Sequence, residues 1–97
     1  MDDDYLFLEN ATETLRAVAH PLRLLIIQML HEQGPQTVTA IHLALGIEQA
    51  VASHHLRIMK DKQILSVRRE GKNAFYNLAR SEYAQIYLLL EQTLPPA

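Results

Sequence analysis

The chain has no cysteine among its 97 residues, which removes disulfides, thiolate metal sites, thiol redox sensing and cysteine nucleophiles before any motif is read. Long apolar runs are also missing. Leu22 to Ile27 is among the longest, is broken by Arg23, and falls far below the ~20 residues that span a bilayer. The acidic start Met1-Asp2-Asp3-Asp4 lacks the basic region of a signal peptide. These absences lead us to expect a cytoplasmic protein with no membrane partner. No internal repeat, low-complexity tract or linker interrupts the chain, and its only terminal breaker is Pro95-Pro96.

What remains is the composition of a folded protein, 48% apolar and 21% charged. At this length, residues 1–97 are expected to form one domain around one core. The net charge of −2 conceals a polarity. Residues 1–15 carry Asp2, Asp3, Asp4, Glu9 and Glu13 with no cation. Residues 53–80 carry Arg57, Lys60, Lys62, Arg68, Arg69, Lys72 and Arg80 against only Asp61 and Glu70. Such a distribution lets one face attract phosphates while the acidic end stays away; an ordinary solvated surface is the alternative for charge alone.

Periodicity sets out the elements. Leu8, Ala11, Leu15 and Val18 fall at spacings of three and four, an apolar face on a helix from about Asp4 to Val18. Pro21 opens a second helix with a broad apolar stripe, Leu22, Leu25, Ile26, Met29 and Leu30, and Gly34-Pro35 ends it. Thr37 is a candidate N-cap for a short helix through Leu45, and Gly46 supplies a tight turn. From Glu48 to about Lys62 a further helix turns Val51, Ala52, His55, Leu56, Ile58 and Met59 to one side and Gln49, Ala50, Ser53, His54 and Arg57 to the other. Two short helices joined through Gly46 spell helix-turn-helix. Ile64–Arg69 and Ala74–Leu78 then read as strands flanking the turn Glu70-Gly71-Lys72-Asn73, a hairpin with a basic tip. Ser81 is a candidate cap for a closing helix striped by Tyr83, Ile86, Tyr87, Leu90 and Leu94. The fold class is mainly α with a small β-hairpin wing.

A helix presented this way can enter a major groove about 12 Å wide. Gln49, Ala50, Ser53, His54 and Arg57 are its outward residues. Gln can bond adenine in two-pronged fashion and Arg guanine, Ser or His can reach a base edge or phosphate, and Ala50 suits a thymine methyl. Arg68, Arg69 and Lys72 on the hairpin could straddle the backbone or enter the minor groove. Solvent-exposed helix and hairpin faces are the structural alternative.

The run Ala19-His20-Pro21-Leu22-Arg23-Leu24-Leu25-Ile26, the segment from Leu45 through Asp61 and the segment Arg69–Leu78 together resemble the ArsR/SmtB winged-helix repressors over roughly residues 8–90. The resemblance implies a homodimeric repressor on an inverted-repeat operator, joined through its first and last helices. Tyr5, Leu8, Leu15, Tyr83, Ile86, Tyr87 and Leu90 are then the candidate interface residues. It also implies release of DNA by an effector, which the sequence does not identify.

The chain departs from the family at several positions. Ala50 and Val51 stand where polar Ser and Thr are usual, which shifts specificity towards Gln49, Ser53, His54, Arg57 or DNA shape. Ala40-Ile41-His42-Leu43 occupies the place of a thiolate metal box, and the last helix has no histidine, so no metal ligand set or cofactor is expected. His54 and His55 diverge by about 100° on a helix. His55 falls with the packed face as a hydrogen-bonded core histidine, while His20 is a helix-start residue and His31 suits a helix end. His42 has no local explanation, and His31 or His42 with Glu32 gives no motif that fixes three ligands. The competing reading is a winged-helix protein-interaction module without specific DNA binding, in which the terminal helices hold another protein and the basic wing is dispensable. An enzyme lacks support, with no nucleotide loop, nucleophile elbow or metal triad.

Overall fold

The computed structural model describes residues 2–97; Met1 lies outside the described residues. Five α-helices and a three-stranded antiparallel sheet follow in the order α1 (Asp3–Val18), α2 (Pro21–Gln33), β1 (Gln36–Thr37), α3 (Val38–Leu45), α4 (Gln49–Asp61), β2 (Leu65–Glu70), β3 (Asn73–Leu78) and α5 (Ala84–Thr93). Strand order in the sheet is β1-β3-β2.

The helix boundaries have local causes. Asp2 caps α1 by accepting from the Tyr5 amide at 3.1 Å. His20 caps α2 with Nδ1, which accepts from the Leu22 amide at 3.0 Å, and Pro21 needs no donor partner at the first helical position. Thr37 caps α3 through Oγ1 and the Ala40 amide, 3.1 Å apart. At the end of α3, Gly46 takes φ +67°, and its amide and that of Ile47 satisfy carbonyls of the last turn. His42 acquires a role there: its Nδ1–H donates to the Ile47 carbonyl at 3.1 Å, tying the helix-turn-helix turn to α3.

The core is built from Ala17 and Val18 of α1, Ile26, Ile27, Met29 and Leu30 of α2, Ile41, Leu56 and Met59 of the helix-turn-helix, and Ile64 and Leu65 at the start of the hairpin. Tyr76, Leu78, Tyr83, Ile86 and Tyr87 pack against it from the strand and the closing helix. Two sequence expectations are corrected, and one strand was not foreseen. Leu25 is 41% exposed, whereas Ile27 is fully buried, because α2 is covered on more than one side and its burial does not follow a single stripe. Ser81 caps no α-helix: it begins a 3-10 turn, Ser81–Tyr83, its hydroxyl donates to Glu82, and α5 starts only at Ala84. The third strand, β1, has no periodicity of its own. It exists because Gln36 and Thr37 pair with Tyr76 and Phe75.

Candidate nucleic-acid interface

Helix α4 is held by Ala52, His55, Leu56 and Met59, all buried on one stripe. At about 100° per residue, Ala50, His54 and Arg57 point directly away from that stripe, with Gln49 and Ser53 on one flank and Val51 and Ile58 on the other. Gln49, Ala50, His54 and Arg57 are exposed as expected, whereas Ser53 is half-buried. Val51, assigned to the packed side from sequence, is 39% exposed. The error arises at the stripe's edge, where hydrophobicity overrode angle: Val51 is apolar but sits on the outer flank.

The wing is closed by Gly71 and Lys72 between the paired residues Glu70 and Asn73, with Gly71 at φ +60°. Glycine at the first central position suits a two-residue hairpin connection, and Asn73 needs no positive φ. Arg68, Arg69 and Lys72 are all exposed, but their surroundings differ. Arg68 Nε lies 2.9 Å from a Glu70 carboxylate oxygen, and its guanidinium sits 5.6 Å from the centre of the Phe75 ring. Arg69 and Lys72 make no ion pair among the described residues, nor does Arg57. Elsewhere in the basic segment Lys62 faces Glu13 and Arg80 faces Glu82. A phosphate would therefore meet uncompensated charge at Arg57, Arg69 and Lys72 and a partly neutralised one at Arg68.

His55 is 6% exposed, and its Nδ1 accepts from Arg23 Nε at 3.1 Å. Burial first, and then the neighbouring His20, Arg23 and His54, push its pKa below the ordinary histidine value. Sequence reasoning placed His55 correctly as a hydrogen-bonded core histidine but missed Arg23, whose one visible signal is a charge inside an apolar run. Among the described residues, no three His, Asp or Glu side chains are grouped to hold a metal, and no helix is long and apolar enough to cross a membrane.

The expected interface residues divide into two sets. Tyr5, Leu8, Leu15 and Leu90 are exposed on α1 and α5, while Tyr83, Ile86 and Tyr87 pack partly on the chain's own core. Tyr87 donates to Glu91 at 2.9 Å, which raises its pKa. Sequence analysis missed Leu6, Phe7 and Leu89, which are also exposed, Phe7 by 68%. They lie off the stripes chosen by spacing.

A helix-turn-helix followed by a two-stranded wing defines a winged helix-turn-helix protein. The helix-turn-helix domain family matches residues 18–68. The chain is 33% identical over 87 residues to the transcriptional repressor PagR of Bacillus anthracis, covering 90% of this chain and 87% of PagR. It is 36% identical over 81 residues to the transcriptional repressor SmtB of Mycobacterium tuberculosis, covering 84% of this chain but only 59% of SmtB. The crystal structure of PagR superposes with a TM-score of 0.80 at 34% identity, covering 89% of this chain and 98% of that one. The solution structure of the homodimeric winged helix-turn-helix DNA-binding domain of Mb0332 from Mycobacterium bovis gives 0.84 at 29% identity, covering 95% and 84%. The chain belongs to the ArsR/SmtB family of winged helix-turn-helix transcriptional regulators.

Proposed function

We propose that the protein is a homodimeric, non-enzymatic, cytoplasmic repressor that binds an inverted-repeat operator, with residues 2–97 acting as one DNA-binding domain. The observation that carries this reading is the outward line Ala50, His54 and Arg57 on a helix anchored by a fully packed opposite face. Gln49 and Ser53 flank it, Arg69 and Lys72 on the wing hold adjacent phosphates, and Arg68 joins them after yielding Glu70. The exposed side chains Tyr5, Leu6, Phe7, Leu8 and Leu15 of α1 and Leu89 and Leu90 of α5 are apolar surface that one chain leaves uncovered. A second copy covers them, with Tyr83, Ile86 and Tyr87 supporting the contact from beneath. The two-fold axis then sets the two α4 helices into successive major grooves, roughly 34 Å apart.

The test is selection from a pooled library of random duplexes at several salt concentrations. An enriched inverted repeat with a steep salt slope is the expected result. Weak salt-sensitive retention without enrichment would overturn the reading and favour a protein-interaction role for the terminal helices.

A further inference from the structure

Arg23 interrupts the apolar run Leu22 to Ile27 and is half-buried. Its Nε donates to His55 Nδ1 at 3.1 Å, and its Nη1 donates to the Ala17 carbonyl at 3.2 Å. One guanidinium thereby joins the last turn of α1, the first turn of α2 and the middle of α4. The remaining anchors of α4, among them Ala52, Leu56 and Met59, are apolar. Apolar packing resists separation but has no direction. Among the described residues, the Arg23–His55 bond is the only side-chain hydrogen bond that ties α4 to another element. The His55 ring is also flanked by two others, His20 at 4.4 Å and the outward-facing His54 at 5.3 Å between centroids.

We propose that Arg23 and His55 are positioning residues for DNA binding: Arg23, held on the Ala17 carbonyl, sets the rotation of α4 through His55 and so aims His54 and Arg57. The inference rests on the reading of α4 as the helix that contacts DNA.

The chemistry of the bond makes it separable from simple packing. Nδ1 of His55 accepts only when it carries no proton, so the ring must be neutral and bear its hydrogen on Nε2. His20 is constrained in the same way, because its Nδ1 accepts from the Leu22 amide. A proton on His55 Nδ1 would face the Arg23 Nε–H, turning an attraction into a repulsion between two cations. The groups acting on His55 are His20, which caps α2, Arg23 of α2 and His54 of its own helix; none is a carboxylate that would favour the charged ring. The positioning bond therefore holds at neutral pH and is lost on acidification.

The experiment follows duplex affinity by fluorescence anisotropy at pH 7.5 and 5.5, using the duplex most enriched from the random library. It is carried out in a His54→Gln background, which removes the ionisable ring on the DNA-facing side of α4. In that background affinity should fall by a few-fold, and by less than about tenfold, between the two pH values, because the lowered pKa of His55 leaves part of the ring neutral at pH 5.5. Adding His55→Asn should flatten the profile, since the Asn Oδ1 takes the place of Nδ1 and accepts from Arg23 but does not titrate. Arg23→Ala should bind about tenfold more weakly at pH 7.5 with the protein still folded by circular dichroism. Parallel pH profiles with and without His55→Asn would overturn the proposal.

A second measurement needs neither variant nor DNA. Long-range proton–nitrogen correlation spectra of the wild-type protein at pH 7.5 should show His20 and His55 as Nε2–H tautomers and His42 as Nδ1–H, and an Nδ1–H tautomer at His55 would equally refute it. Undiminished binding by Arg57→Ala would instead refute the underlying reading of α4. Weak binding by Arg57→Ala, beside wild-type binding and titration in the Arg23 and His55 variants, would refute the positioning role alone.

Discussion

Gln63→Gly should make the protein more stable. Gln63 is the only non-glycine residue with positive φ among those described, at +61°, and it follows Lys62, the C-cap of α4. The conformation is needed because the Gln63 amide reaches the Lys60 carbonyl and the Ile64 amide reaches the Met59 carbonyl, both at 2.9 Å, closing α4 before β2 begins. An L-residue in the left-handed region costs roughly 1–2 kcal/mol, and glycine removes that cost while adding roughly 0.4–1 kcal/mol of unfolded-state entropy. The Gln63 side chain is exposed, so little packing is lost. The net gain is about 0.5–1 kcal/mol, or roughly 2–8 °C in melting temperature for a domain of this size. Urea titration at fixed protein concentration, which removes the effect of association, measures it. Gln63→Ala keeps the strained φ and should match wild type. A Gly variant no more stable than the Ala variant would refute the assignment of strain to this position.

Gly46→Ala should act in the opposite direction. No atom beyond Gly46 and its two chain neighbours lies within 4 Å of where its Cβ would stand, so the loss, about 1 kcal/mol by urea titration, is conformational alone. Leu8→Glu and Leu89→Glu remove exposed apolar surface and should leave folded monomers by light scattering, whereas Ile86→Glu, which packs against the core, should also destabilise the fold; unchanged dimers would count against the terminal-helix interface. Folding stability should decline as pH falls below about 6.5. The unfolded His55 then binds a proton that the folded protein resists, so the unfolded state holds more protons and stability rises with pH in that window. His55→Asn should shallow that slope, and an unchanged slope would assign it to other groups. Removal of Lys72 should reduce the salt dependence of DNA binding by about one unit of slope, and removal of Arg68 by less, because Glu70 already compensates it.

Much of the fold is legible because its boundaries are chemical. Pro21, Gly34, Thr37 and Gly46 each mark a helix end by a donor, an acceptor or a permitted φ, and Gly71 marks the hairpin in the same way. What could not be read depends on contacts distant in sequence. The strand Gln36–Thr37 is defined by its partners on β3, and the burial of Ile27 in preference to Leu25 depends on which sides of α2 are covered. On α4, periodicity locates the buried centre correctly and misassigns the flanks, Val51 and Ser53, where a few tens of degrees decide exposure. The Arg23–His55 bond joins residues 32 apart, and no local spacing announces it. Charge patterning located the basic segment but could not separate Arg57, Arg69 and Lys72 from Arg68, Lys62 and Arg80, whose neighbouring carboxylates are visible only in three dimensions.

If α4 and the wing together read DNA, wild type and the triple variant Arg57→Ala, Arg69→Ala, Lys72→Ala must part company on the enriched duplex across a salt series. The folded variant should lose at least about two orders of magnitude in affinity and show a shallower salt slope. Equal affinity and equal slope would contradict that reading.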